Sequence, residues 1–220
     1  MDLKKIDNIM GDTADAIVPA ILEQVPGVNF FVSVVNKVKS ASLQRRFESW
    51  QEMVNTRLST LESEVFDALG DNDTFATALL KTTELAAQSN QKKMELLANF
   101  VRYTAENEIS DDYLILFINN ISKYTLTHII TLKYFQAPIK TPKSTNLLSS
   151  SALAVFKEYY PNIDKTIIDI VVQDLQTDGL MVKSELNGMM SKESCFISRT
   201  SDMGDKFIES FGIDKIEITI

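Results

Sequence analysis

A chain of 220 residues that is 45% hydrophobic, with mean hydropathy near zero, has enough material for one large core or two modest ones and reads as an ordinary globular protein. A net charge of −8 and a pI near 4.8 disfavour non-specific adhesion to nucleic acid or to an anionic membrane, because both carry the same sign. One cysteine, Cys195, excludes an internal disulfide framework, and the start MDLKKIDNIM has no apolar signal core, so the cytoplasm is the expected compartment.

The chain opens with a short helical pattern over residues 14–24, a corner at Pro26 and Gly27, and an apolar run over 28–38. Asp15, Glu23, Pro26 and Asn29 interrupt this region too early for the roughly 20 apolar residues of a membrane span. Its apolar side chains, Val25, Phe30, Phe31, Val34 and Val35, form a candidate interaction surface. With the flanking Lys37, Lys39, Arg45 and Arg46, the same run has the composition of a membrane-surface helix, a less favoured alternative.

From Ser40 onward Leu43, Phe47, Trp50, Val54, Leu58, Leu61, Val65 and Leu69 recur every three or four residues, which predicts one long helix with a single apolar stripe. Gly70 ends it and the polar run 71–74 caps the next helix, predicted over 73–107 and antiparallel to the first because the connection is short. A third long helix is predicted from Ser110 to Tyr134 or Phe135, with Asp111 and Asp112 complementing the positive end of its dipole. Pro138 and the polar segment that follows it mark a domain boundary. The expected fold is therefore mainly α: a bundle of long antiparallel helices over 1–140 and a small winged-helix-like domain over 144–220.

In that second domain, helices are predicted over 147–160 and 163–177, the latter stopped by Asp178 and Gly179. A strand over 180–185, the turn signal Asn187-Gly188 and a strand near 195–199 predict a two-stranded β wing, and Thr200, Ser201 and Asp202 start a last helix running through Phe211. Such modules often bind DNA, but over 144–220 twelve acidic residues face seven basic ones. Within 164–178, Lys165 stands alone against Asp164, Asp169, Asp174 and Asp178. A protein-contact role is the reading that charge favours.

Catalytic handles are few. His128 is the sole histidine and lies in the apolar run LTHIITL, the setting of a packed or hydrogen-bonded structural histidine. A distant single cysteine and histidine do not make a zinc site, and Asp71 with Asp73 lacks the ligand spacing of a calcium loop. Asp111 and Asp112 have a sufficient explanation as helix-start acids. No Walker A, GxGxxG or GxSxG pattern occurs. The expectation is a non-enzymatic protein with no catalytic, cofactor or metal residues, acting through a protein partner or self-association.

The words LLKTTELAAQSNQKKMELLANFVRYTAEN and LTHIITLKYFQAP carry a resemblance to the abortive-infection alpha-like family of bacteria and prophages. Members similarly have an arginine-pair helix, a lysine step leading to an alanine-asparagine pair, and a histidine helix closed by proline. The matching positions here are Arg45-Arg46-Phe47, Lys92-Lys93, Ala98-Asn99, Leu126-Thr127-His128 and Pro138, and the resemblance extends to DLQTDGLM and TSDMGDKFIESFGI. It implies an association with phage resistance. DNA binding through the winged module is the alternative, and membrane disturbance through residues 17–38 a third.

Overall fold

The computed structural model describes residues 41–69, 72–139, 151–191 and 193–217, all of them helix, turn or loop apart from a single bridged residue pair. The candidate surface Val25, Phe30, Phe31, Val34 and Val35, the cap at Gly70 and the segment 140–150 lie outside the described residues. The chain divides into two compact units, Met1–Ser122 and Lys123–Ile220.

In the first unit, α1 (Ala41–Leu58), α3 (Asp73–Ala86) and α4 (Gln91–Glu106) pack on one another, and the short α2 (Ser63–Ala68) packs on α4. The predicted stripe of α1 is its buried edge, with Phe47, Trp50, Val54 and Leu58 all inside. Arg46 donates to the Ala87 carbonyl at 3.3 Å and Trp50 Nε1 to Thr83 Oγ1 at 3.1 Å, so residues ascending α1 meet residues descending α3, as antiparallel helices do. Arg57 Nε donates to Asn99 Oδ1 at 2.6 Å and ties α1 to the middle of α4.

Each predicted long helix is divided. The first breaks after Leu58, where Ser59 and Thr60 return their hydroxyls to the carbonyls of Thr56 and Arg57. The second breaks at 87–90, where the Asn90 side chain accepts the Lys93 N–H and starts α4. The third becomes α5 (Asp111–Lys123) and α6 (Leu126–Gln136), with Thr125 as the new N-cap.

The second unit is built on α6, which packs against α8 (Lys165–Thr177) and α9 (Asp202–Phe211). Helix α7 (Ala152–Tyr159) packs against a 3-10 turn, Glu193–Phe196. Aromatic side chains fill this core: Phe135 stacks on Phe156 at 5.8 Å between centroids, and Phe207 lies 4.6 Å from Phe211. Helix α8 ends where predicted, with Gly179 at φ 75° in the left-handed region that a side chain disfavours.

The predicted β wing does not form. Between α8 and α9 the described residues hold only one isolated antiparallel bridge, Met181 to Thr200, and the expected second strand begins inside the 3-10 turn and continues as bend and loop. Arg199 accounts for this. Its guanidinium is 6% exposed and turns inward, donating to Ser184 Oγ at 3.2 Å, the Ser194 carbonyl at 2.9 Å and Met190 Sδ at 3.2 Å. With the Ser194 carbonyl drawn to Arg199 and Cys195 buried beside Val155, this stretch curls onto α7 rather than extending.

Candidate functional site

A polar cluster in the second unit joins the start of α6 to the last turns of α8. Two spacings of four residues create it: Tyr124 with His128, and Asp174 with Asp178. Tyr124 Oη donates to Asp178 Oδ2 at 2.6 Å, Lys123 Nζ reaches Asp178 Oδ1 at 2.6 Å, and His128 Nε2 lies 3.2 Å from Asp174 Oδ2. The Tyr124 ring stacks on the imidazole, 4.8 Å between centroids and 11° between planes.

The local fold fixes the proton on His128. As the third residue of α6 it occupies the position from which a capping-box glutamate reaches back, and the Thr125 backbone N–H donates to its Nδ1 at 3.2 Å. An Nδ1 that accepts carries no hydrogen, so the neutral ring holds its proton on Nε2 and donates it to Asp174. The imidazole is 7% exposed, and burial lowers its pKa despite the neighbouring Asp174 and Asp178. Burial, then the bond to Asp178, raises the Tyr124 phenol, so it stays a donor.

This depression has a consequence for stability. A histidine whose folded pKa lies below its unfolded value of about 6.5 stabilises the fold fully above that pH. The contribution is lost as pH falls through 6.5 toward the depressed folded value, because the unfolded chain takes up the proton first. Urea midpoints are therefore expected to fall between pH 7.5 and 5.5, and His128→Gln is expected to flatten that slope. An equal slope in the variant would remove His128 as its source.

The cluster is a structural latch with one chemical asymmetry: Asp178 is largely covered, whereas the Asp174 side chain is 47% exposed. From Asp174 toward the start of α8, the same face of the helix carries Ile170 and Ile167, which are 49% and 46% exposed while Ile168, Val171 and Leu175 fill the core. Val182, Met189 and Ile197 are further exposed apolar side chains of this unit.

Of the residues weighed in the sequence, His128 is buried and hydrogen-bonded. Asp111 and Asp112 lie exposed in the first turn of α5, and Cys195 is a buried thiol whose pKa burial raises. Among the described residues no three His, Cys, Asp or Glu side chains are placed to hold a metal ion, and no helix is long and apolar enough to cross a membrane. Sequence reasoning missed Tyr124, Asp174 and Asp178 as partners of His128, although the matched spacings of four were readable. Sequence reasoning also places Ile167 in the core with Ile168, Val171, Val172 and Leu175, whereas it is exposed beside Ile170: Ile167 and Ile168 are adjacent, and composition alone does not say which of them faces inward. Compared with known proteins, the chain matches no family model, no curated protein and no solved structure.

Proposed function

We propose that this is a non-enzymatic protein that acts through protein contacts, with the exposed edge of α8 as a contact surface. The observation that carries the reading is the pair Ile167 and Ile170, three residues apart and about half exposed on a helix that already buries a full apolar face. Asp164, three residues before Ile167, and Asp174, four residues after Ile170, flank the pair along the helix, acidic margins suited to a partner with an apolar centre and basic edges. The setting in phage defence rests on the resemblance of the arginine-pair, KKMELLAN and LTHIITL words to the abortive-infection alpha-like family.

The same acids weigh against the DNA-binding alternative, since α8 would bring one lysine and several carboxylates to the phosphates. The membrane alternative depends on residues 17–38, outside the described residues.

Plaque counts on a bacterial lawn expressing the chain test both halves of the proposal. Expression is expected to reduce plaques of at least one phage in a diverse panel, and Ile167→Ser with Ile170→Ser is expected to abolish that reduction while leaving the circular dichroism spectrum intact. No reduction with any phage would overturn the defence role. Undiminished protection by the folded double variant would overturn the α8 surface.

A further inference from the structure

The first unit carries a second feature, unrelated to the contact surface on α8. A cleft of about 420 Å³ opens between the first turns of α1 and the start of α4, lined by Arg45, Arg46, Ser42, Ser49, Asn90 and Gln91 among others. In a chain with 30 acidic residues and a charge of −8, the described residues of this lining include no carboxylate. Among the described residues neither arginine makes an ion pair.

Both guanidiniums are instead steadied by backbone. Arg45 Nε donates to the Ala41 carbonyl at 3.1 Å and Arg46 to the Ala87 carbonyl at 3.3 Å, each through one of its nitrogens. A guanidinium has five N–H donors, so several on each remain for a ligand while the side chain is already oriented. The sequence around the cleft also departs from ordinary helix design. Helix α4 has no acid in its first turn and instead has Lys92 and Lys93 there, adding positive charge where the helix dipole is already positive. Lys92 pairs with Glu95 at 3.2 Å and Lys93 Nζ donates to the Ser122 carbonyl at 2.9 Å, so both lysines also have partners within this unit.

We infer that this cleft binds a small phosphorylated ligand, its phosphoryl oxygens held by Arg45 and Arg46. A tetrahedral dianion suits two guanidiniums that can each donate two parallel hydrogen bonds, with the hydroxyls of Ser42 and Ser49 as further donors. Among the described residues the lining has no aromatic ring on which a nucleobase could stack, and Met94 is its one apolar side chain. The ligand class is therefore a compact phosphate or diphosphate rather than a nucleic acid strand.

Titration calorimetry of the full chain with inorganic pyrophosphate at low ionic strength tests the site. Saturable binding with Kd below about 1 mM is expected, weakening with added salt. Arg45→Gln and Arg46→Gln are each expected to weaken it about tenfold or more through loss of charge-assisted hydrogen bonds. Arg102→Gln, which removes the α4 arginine paired with Glu106 at 2.8 Å, is expected to leave it unchanged. Among the described residues Arg45 bonds within its own helix, so Arg45→Gln keeps the test valid should Arg46→Gln unfold. Absence of saturable binding, or equal affinity in Arg45→Gln, would overturn the site. Binding to phosphatidic acid vesicles without binding to pyrophosphate would overturn the soluble-ligand assignment.

Discussion

Gly204→Ala is expected to destabilise the second unit by about 3 kcal/mol or more, a cost in the upper range for single substitutions. Gly204 lies in the first turn of α9, where the helix start crosses the chain leaving α8. A Cβ built there would stand 2.0 Å from the Leu180 carbonyl oxygen and 2.9 Å from its carbon. Both atoms are backbone, so relief requires moving a main chain that is itself tied down. The Ser201 N–H donates to Leu180 O at 3.0 Å, the Ser201 hydroxyl donates to the Gly179 carbonyl, and the Gly204 N–H donates to Ser201 Oγ at 3.0 Å. Any shift of α9 breaks this set together.

Gly188→Ala is the control, because the nearest atoms to its added Cβ belong to the end of the exposed Glu185 side chain, 3.3 Å away, which can swing aside. Urea unfolding followed by circular dichroism should separate the two variants clearly. A midpoint for Gly204→Ala as close to the parent as that of Gly188→Ala would mean that α9 does not sit against Leu180 as described.

Trp50→Ala is expected to cost about 3–5 kcal/mol, the range for emptying a large aromatic site. Trp50 is 2% exposed and stands where α1 meets α3, its Nε1 donating to Thr83 Oγ1 at 3.1 Å. Thr83 passes its own proton to the Leu79 carbonyl at 2.7 Å, so the hydroxyl is donor and acceptor at once. Thr83→Val should therefore cost less, about 1–3 kcal/mol, by leaving the indole N–H buried and unpaired. Combining Thr83→Val with Trp50→Phe, which removes that N–H, should recover part of the loss, whereas strictly additive effects would mean that the indole and the hydroxyl do not meet.

These positions show what the sequence made legible. The spacing of Phe47, Trp50, Val54 and Leu58 was enough to place the buried edge of α1, because periodicity and burial share one physical cause. The breaks within the long helices were harder to read. Asn90 and Thr125 stand in runs whose apolar periodicity continues past them, and each acts through a bond to a residue three positions on. The missing wing has a different origin. The pattern of 180–199 suits a hairpin, but the inward turn of Arg199 is a tertiary choice that no local pattern encodes. The latch around His128 was half legible, since spacing pairs Tyr124 with His128 and Asp174 with Asp178 but does not bring the two helices together. The exposure of Ile167 and Ile170 could be seen only once the core side of α8 was known.

The central claim is that α8 is a protein-contact surface, and photo-crosslinking tests it most directly. With benzoylphenylalanine in place of Ile170 in the full chain, irradiation in bacterial cells under phage challenge is expected to yield one discrete protein adduct, either a second copy of the chain or a single partner. The same probe at Asn119, an exposed residue of α5 in the other unit, is expected not to yield it. No protein adduct at position 170 beyond that seen at 119, or adducts to nucleic acid or lipid in its place, would contradict the account.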